Sequence, residues 1–205
     1  MKKTTALLFA FTSLALAACE EVAAPATVDA VTTRASTVTP SAAGTFAEDL
    51  IDPQGEQYSV ASGNGYAYQV GINATQTGLV ARAGLLPGTA VTTAAPAVGS
   101  ASMAGIYGLR TISGASIVDG ELISTPDFVS DEITLVADFS NETLTGSSGA
   151  LTINGIFDTG VLSGTASYGT INGTLSGVVG ADQAVGAFQG SNTDSVMAGG
   201  FQVSE

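Results

Sequence analysis

The one spacing in this chain that suggests general acid–base chemistry is acidic: Asp127, Asp131 and Glu132 lie close together beside Pro126. Carboxylates held near enough to share a proton can act as acid and base. Acidic groups beside a proline in a predicted loop are more often a solvated turn. Asp119 and Glu121 flank Gly120 and would offer oxygen ligands to Ca²⁺, but their spacing matches no EF-hand loop and a turn is the simpler reading. Tyr66, Tyr68, Tyr107 and Tyr168 have rings able to ligate or stack, although aromatics in strands usually form core or cross-strand pairs. The familiar nucleophilic triads need a His or Lys base. The chain has no His, and its only lysines are Lys2 and Lys3. Zinc or haem ligation by His or Cys is excluded on the same count, and the glycine runs fall between strand-like segments, so no phosphate loop is present. No catalytic residue, cofactor site or metal site is assigned.

The first nineteen residues, MKKTTALLFAFTSLALAAC, read as a secretory leader: two lysines, an apolar run over 6–17 too short to span a bilayer, then small residues. Leu16-Ala17-Ala18-Cys19 resembles the lipobox of bacterial lipoproteins, in which the Cys is diacylated and becomes the mature N-terminus. Cys19 is the single Cys of the chain, so lipid attachment is assigned to it and no disulfide is expected. Residues 1–18 are then the signal peptide. The mature chain keeps Arg34, Arg82 and Arg110 against 18 acidic residues, a net charge of −15. Such a charge repels nucleic acid and anionic headgroups, so attachment to the membrane would come from acyl chains, each contributing ~0.8 kcal/mol per buried methylene. Glu20 and Glu21 follow the Cys, where an Asp would favour inner-membrane retention; the resemblance therefore implies the outer membrane.

Residues 19–56 are rich in Ala, Thr, Ser and Pro, show no hydrophobic period and are interrupted by Pro25 and Pro40; this reads as a flexible tether, with packing beginning near Phe46 and Leu50. Residues 57–98 read as a β-rich N-terminal segment, a small handle-like part or extra strands. Within it, alternation through Tyr58, Val60, Tyr66, Tyr68, Val70 and Ile72 around Ser62-Gly63-Asn64-Gly65 predicts a hairpin, and 79–86 fits a strand or a helical turn or two, ended by Pro87-Gly88.

From residue 99 the pattern is regular. Strand-like runs at 102–111, 116–124, 131–139, 142–147, 150–156, 160–167, 170–179, 184–189 and 196–203 are separated by Asn, Gly, Ser and Asp turns. In DEITLVADF, Ile133, Leu135, Ala137 and Phe139 point one way and Thr134, Val136 and Asp138 the other. The expected fold is all-β: a soluble, antiparallel up-and-down β-barrel of about eight strands over 99–205, its interior filled by side chains. Strand glycines such as Gly105, Gly155, Gly164, Gly173 and Gly177 suit the bends of a tight barrel. A membrane-spanning barrel would need aromatic girdles and an apolar outer face, whereas the chain has no Trp and its presumed outward positions are Thr, Ser, Asn and Asp.

The last hairpin, VGAFQGSNTDSVMAGGFQV, resembles the C-terminal motif of the β-barrel domain of transferrin-binding protein B and its relatives, which include factor H-binding protein and other surface lipoproteins. That motif is Gly-x-Phe-x-Gly, a polar span, then Gly-Gly-x-Phe, supplied here by Gly186, Phe188, Gly190, Gly199, Gly200 and Phe201; Phe201 follows the glycine pair directly. GSASMAGIYGL, LVADFSNETLTGS and LSGTASYGTINGTLSG resemble earlier strands of the same domain in the same order. The resemblance covers 100–205 and, more weakly, 57–98; with one barrel and little room for a handle, no ligand-contacting residue carries over. It implies a non-enzymatic outer-membrane lipoprotein, exposed at the cell surface, whose barrel presents loops to a protein or small ligand, and it implies an outer-membrane translocator as an export partner. Two other readings fit the composition: a periplasm-facing structural envelope lipoprotein, and a lipocalin-like carrier of a small apolar ligand.

Overall fold

Residues 28–85 form five strands, β1 (Val28–Asp29), β2 (Thr32–Thr37), β3 (Ile51–Ser59), β4 (Gly65–Ile72) and β5 (Gly78–Leu85), in the computed structural model, which describes residues 28–47, 49–59 and 64–205. The leader, Cys19, and Ser62 and Gly63 of the expected turn lie outside the described residues. β3 and β4 pair antiparallel, down to Ser59 opposite Gly65, as the period-two tyrosines predict. β5 pairs with the other edge of β4, which makes 79–85 strand, with Leu86 just beyond its end. β2 completes this four-stranded sheet by lying parallel to β5, from Thr32 opposite Gly78 to Thr37 opposite Ala83.

Strand therefore begins inside the segment expected to be tether. Thr33 and Ala35 are too small to register as an apolar period, and the partner that orders β2 lies more than forty positions along the chain. Residues 38–47, 49 and 50 lie over the outer face of the sheet. Pro40 is buried there, Leu50 lies against Gly71, and Val38 closes on Gly84, where a Cβ would overlap the Val38 carbonyl.

The rest of the chain closes into a barrel of eight strands: β6 (Ser100–Val118), β7 (Glu121–Asp138), β8 (Thr143–Ser148), β9 (Leu151–Asp158), β10 (Val161–Tyr168), β11 (Ile171–Val179), β12 (Gln183–Ser191) and β13 (Val196–Ser204). Each pairs antiparallel with the next, and β13 returns to β6. The expected face of β7 is confirmed: Ile133, Leu135, Ala137 and Phe139 are buried in the interior cluster with Met103, Leu109, Ile153, Leu162, Phe188 and Phe201. The run at 116–124 is not a separate strand. It is the tip of a β6–β7 hairpin that continues past the barrel, since β13 stops pairing with β6 at Ile112 while β7 follows β6 to Val118. A bulge between Ser113 and Ser116 lets this arm bend, and β1 adds to it through Val28–Val118 and Asp29–Ile117.

Turn chemistry fixes the registers. Asp119-Gly120 and Thr159-Gly160 have positive φ at both positions (54° and 83°, 48° and 83°), the type I′ pattern whose twist matches that of the strands. Gly149 and Gly169, with φ of 55° and 58°, open the other two-residue turns. Thr159 is the misfit, because a β-branched side chain crowds its own backbone at positive φ. A Thr159→Asn variant should be more stable by ~1 kcal/mol, read as a higher midpoint of thermal unfolding.

Register also explains the closing motif. Gly186 stands opposite Phe201 and Phe188 opposite Gly199, all four pointing into the barrel. A Cβ on Gly186 would strike the Phe201 ring, and one on Gly199 would meet the Phe188 ring at 2.8 Å. Each phenylalanine therefore lies over the bare backbone of its partner glycine, an arrangement that recovers the packing a glycine forgoes. Gly200 faces outward, where the Tyr66 ring of the second sheet occupies the space of its missing side chain. Around that contact Tyr66, Tyr68, Val70, Leu79, Ala81 and Ala83 pack on Val185, Ala187, Val196 and Ala198 of the barrel's outer wall.

Candidate binding surface

The acidic cluster expected near Pro126 sits on β7 in the barrel wall, just short of the arm, and does not form an acid–base pair. Strand alternation turns Asp131, opposite Tyr107, and Glu132, opposite Ile106, to opposite faces. Asp127 and Asp131 share a face but stand about 13 Å apart along it. Each accepts a hydrogen bond at 2.8 Å from the amide of the residue after it, Phe128 and Glu132. Asp119 and Glu121 belong to the type I′ tip of the arm. Tyr66 and Tyr68 stack at 6.1 Å between sheet and barrel. Tyr107 is in the interior; burial pushes its phenol above the ordinary range, a hydrogen bond with Ser148 opposes this and the charge of Asp131 adds to it. Tyr168 is partly buried against the same core.

The two ends of the barrel differ. At the arm end, β8–β9 and β10–β11 are joined by two residues each, and β12–β13 by four. The opposite rim is formed by 139–142, 159–160 and 180–182, crossed by residues 86–99. The crossing segment is pinned: Ala181 N–H donates to the Thr93 carbonyl at 3.1 Å, Gln183 Nε2 to Thr92 Oγ1 at 3.1 Å, and Phe139 N–H to the Gly99 carbonyl at 2.9 Å. Between it and the rim is a cleft of about 500 Å³ lined by Ala95, Pro96, Phe139, Phe157, Glu142 and Asp158 among others. Phe139 and Phe157 meet edge to face at 6.1 Å on its floor, and the two carboxylates give its margin negative charge.

Asp138 shapes that rim. Its Oδ1 accepts from the amides of Ser140 and Asn141 at 3.0 and 3.1 Å, and its Oδ2 from Asn141 Nδ2 at 2.7 Å. These bonds, the Asn141 side chain first, hold its carboxyl below the usual range. A group with a depressed folded pKa stabilises above its unfolded value of 3.8, and the contribution is lost as pH falls through the folded value. Asp138→Ala should therefore melt below the wild type at neutral pH, with the difference closing on acidification below that value.

From this rim a stripe of outward apolar side chains climbs the outer wall. Val161 stands opposite Val178, itself opposite Val185; Ile156 is the diagonal neighbour of Val161, and Val136 lies one strand beyond Thr143, which is opposite Ile156. Val178 and Val185 are covered by the second sheet, whereas Ile156 and Val161 are each 63% exposed and Val136 46%. A second group lies on the barrel wall near the base of the arm, where the half-buried Arg110 guanidinium sits 4.7 Å above the exposed Phe128 ring and donates from Nη1 to Gln54 Oε1 at 3.2 Å. Sequence reasoning missed the stripe by treating the outward positions as uniformly polar. The signal available was Val136, Ile156 and Val161 standing at outward positions of otherwise alternating strands.

No protein-family model matches the chain, and no curated protein sequence matches it. Among solved structures, the chain is similar to transferrin binding protein B of Neisseria meningitidis, with 15% identity, a TM-score of 0.45, and coverage of 73% of this chain and 34% of that one. It is similar to the same protein from Haemophilus parasuis, a double mutant, with 14% identity, a TM-score of 0.42 and coverage of 74% and 36%. A third is HpuA of Kingella denitrificans in complex with human haemoglobin, with 16% identity, a TM-score of 0.39 and coverage of 68% and 55%. The chain spans about a third of the length of the two transferrin binding proteins.

Proposed function

We propose that this protein is a non-enzymatic, lipid-anchored lipoprotein of the outer membrane, displayed at the cell surface, that holds a protein partner against the rim cleft and the stripe beside it. The lipobox at Cys19 supports the anchor. A mature chain without His or Lys supports the absence of triad chemistry. The observation that carries the binding role is the stripe: one outer wall is covered by the protein's own second sheet at Val178 and Val185 and continues bare through Val161 and Ile156, with Val136 beyond Thr143. Clustered exposed apolar side chains of this kind mark interaction sites. The barrel interior is filled by Met103, Leu109, Phe188 and Phe201, each 0% exposed, which disfavours carriage of a small ligand inside it.

Proteinase K added to intact cells should cut the protein, with a permeabilised sample and a Cys19→Ala strain as controls. Protection on intact cells with full cleavage after permeabilisation would sink surface display and favour the periplasm-facing structural reading. A photo-crosslinking residue at Ile156 should give a discrete adduct with the partner that the same group at exposed Asp182 on the far side of the rim does not.

A further inference from the structure

We infer that the arm end of the barrel is the face apposed to the membrane, and that the rim with the cleft is the end presented outward. The inference rests on the anchoring at Cys19 proposed above, and its substance is a length. Had the tether run from 19 to 56 it would reach more than about 100 Å and impose no orientation. The first strand among the described residues begins instead at Val28, nine peptide steps from Cys19, a reach of at most about 30 Å. Where that short lead enters is fixed twice. Val28 and Asp29 pair with Val118 and Ile117 at the tip of the arm. A few residues later Thr33 donates its hydroxyl to the carbonyl of Asn192, in the β12–β13 turn at the same end of the barrel, where Ala115 N–H also donates to the Asp194 carbonyl at 2.9 Å.

The rim lies at the other end of β6. Ser100, opposite Asp138, is about 60 Å along the strand from Val118. The lipid thus confines the arm tip to the neighbourhood of the bilayer, while the cleft and the stripe can stand far beyond it. The tip itself carries Asp119 and Glu121, both exposed. Their charge opposes burial among anionic headgroups, so the arm rests beside the lipid surface and does not enter it.

The test uses the lipidated full-length chain in vesicles of phosphatidylethanolamine and phosphatidylglycerol with an acceptor dye on the headgroups. Because the Cys19 thiol is consumed by lipid, a donor dye can be placed on the single free thiol of a Glu121→Cys or an Asp158→Cys variant, both exposed positions. Donor quenching should be at least about twofold stronger at 121 than at 158, given the reach of the lead. Equal or reversed quenching, with the acyl chains found on the N-terminal peptide by mass spectrometry, would overturn the orientation and leave the anchor standing. An N-terminal peptide without acyl chains would overturn both.

Discussion

Replacing Phe201 by Ala should lower the stability of the protein by about 4 kcal/mol, the usual cost of emptying a buried phenylalanine site. The ring is 0% exposed and is the neighbour that fills the space over Gly186. Its loss leaves an Ala facing a Gly on adjacent strands, with the Leu175 side chain beside the space the ring filled. Against a total stability of ~5–15 kcal/mol this is a large share, and for a chain of this size it corresponds to a fall in melting temperature of roughly 10 °C, measurable by circular dichroism. Returning bulk on the other strand should recover part of it: Phe201→Ala combined with Gly186→Ala is expected to be less destabilised than the sum of the single changes, because Gly186→Ala alone clashes with the ring that the first change removes.

A Gly200→Val substitution is expected to detach the second sheet while leaving the barrel closed. The side chain would occupy the volume of the Tyr66 ring, and the clash cannot be relieved by one flexible side chain, since a Cβ alone already overlaps three ring atoms. Overpacking of this kind costs ~1–3 kcal/mol before any contact is lost; separating Tyr66, Tyr68 and Val70 from Val196 and Ala198 adds the burial of those side chains, ~1.5–3 kcal/mol for each large one. Native-state hydrogen exchange would resolve the outcome. Amides of β4 and β5 should lose protection while those of β9 to β11 keep it. Uniform loss in both sets would show that sheet and barrel unfold as one unit.

Much of the barrel is legible in the sequence because its interior and exterior alternate strictly, as at Ile133, Leu135, Ala137 and Phe139, and because glycines mark the short turns. The arm is obscured by such punctuation: Gly114 and Pro126 divide into separate runs what the structure shows to be one long hairpin with a bulge. β2 is hidden for a different reason. TTRAST has no apolar period of its own and becomes strand through a parallel partner far along the chain. At the closing motif the residues are visible in sequence, but their purpose is not, since pairing Gly186 with Phe201 and Phe188 with Gly199 needs the register. Of the candidate chemistry, strand alternation alone suffices to separate Asp131 from Glu132. The rim cleft is assembled from three separate stretches of chain, 91–97, 139–142 and 157–160, and no local pattern announces it.

The positions of the three arginines bear on how this protein meets digestive enzymes. With the leader removed, trypsin has only Arg34, Arg82 and Arg110 to cut after, and each lies inside a paired strand, Arg82 with 2% of its surface exposed. Cleavage at such sites waits on local opening of the sheet. Trypsin should therefore cut the folded protein far more slowly than the denatured chain. Among the described residues, the two longest stretches outside the strands, 38–47 and 86–99, hold no basic residue.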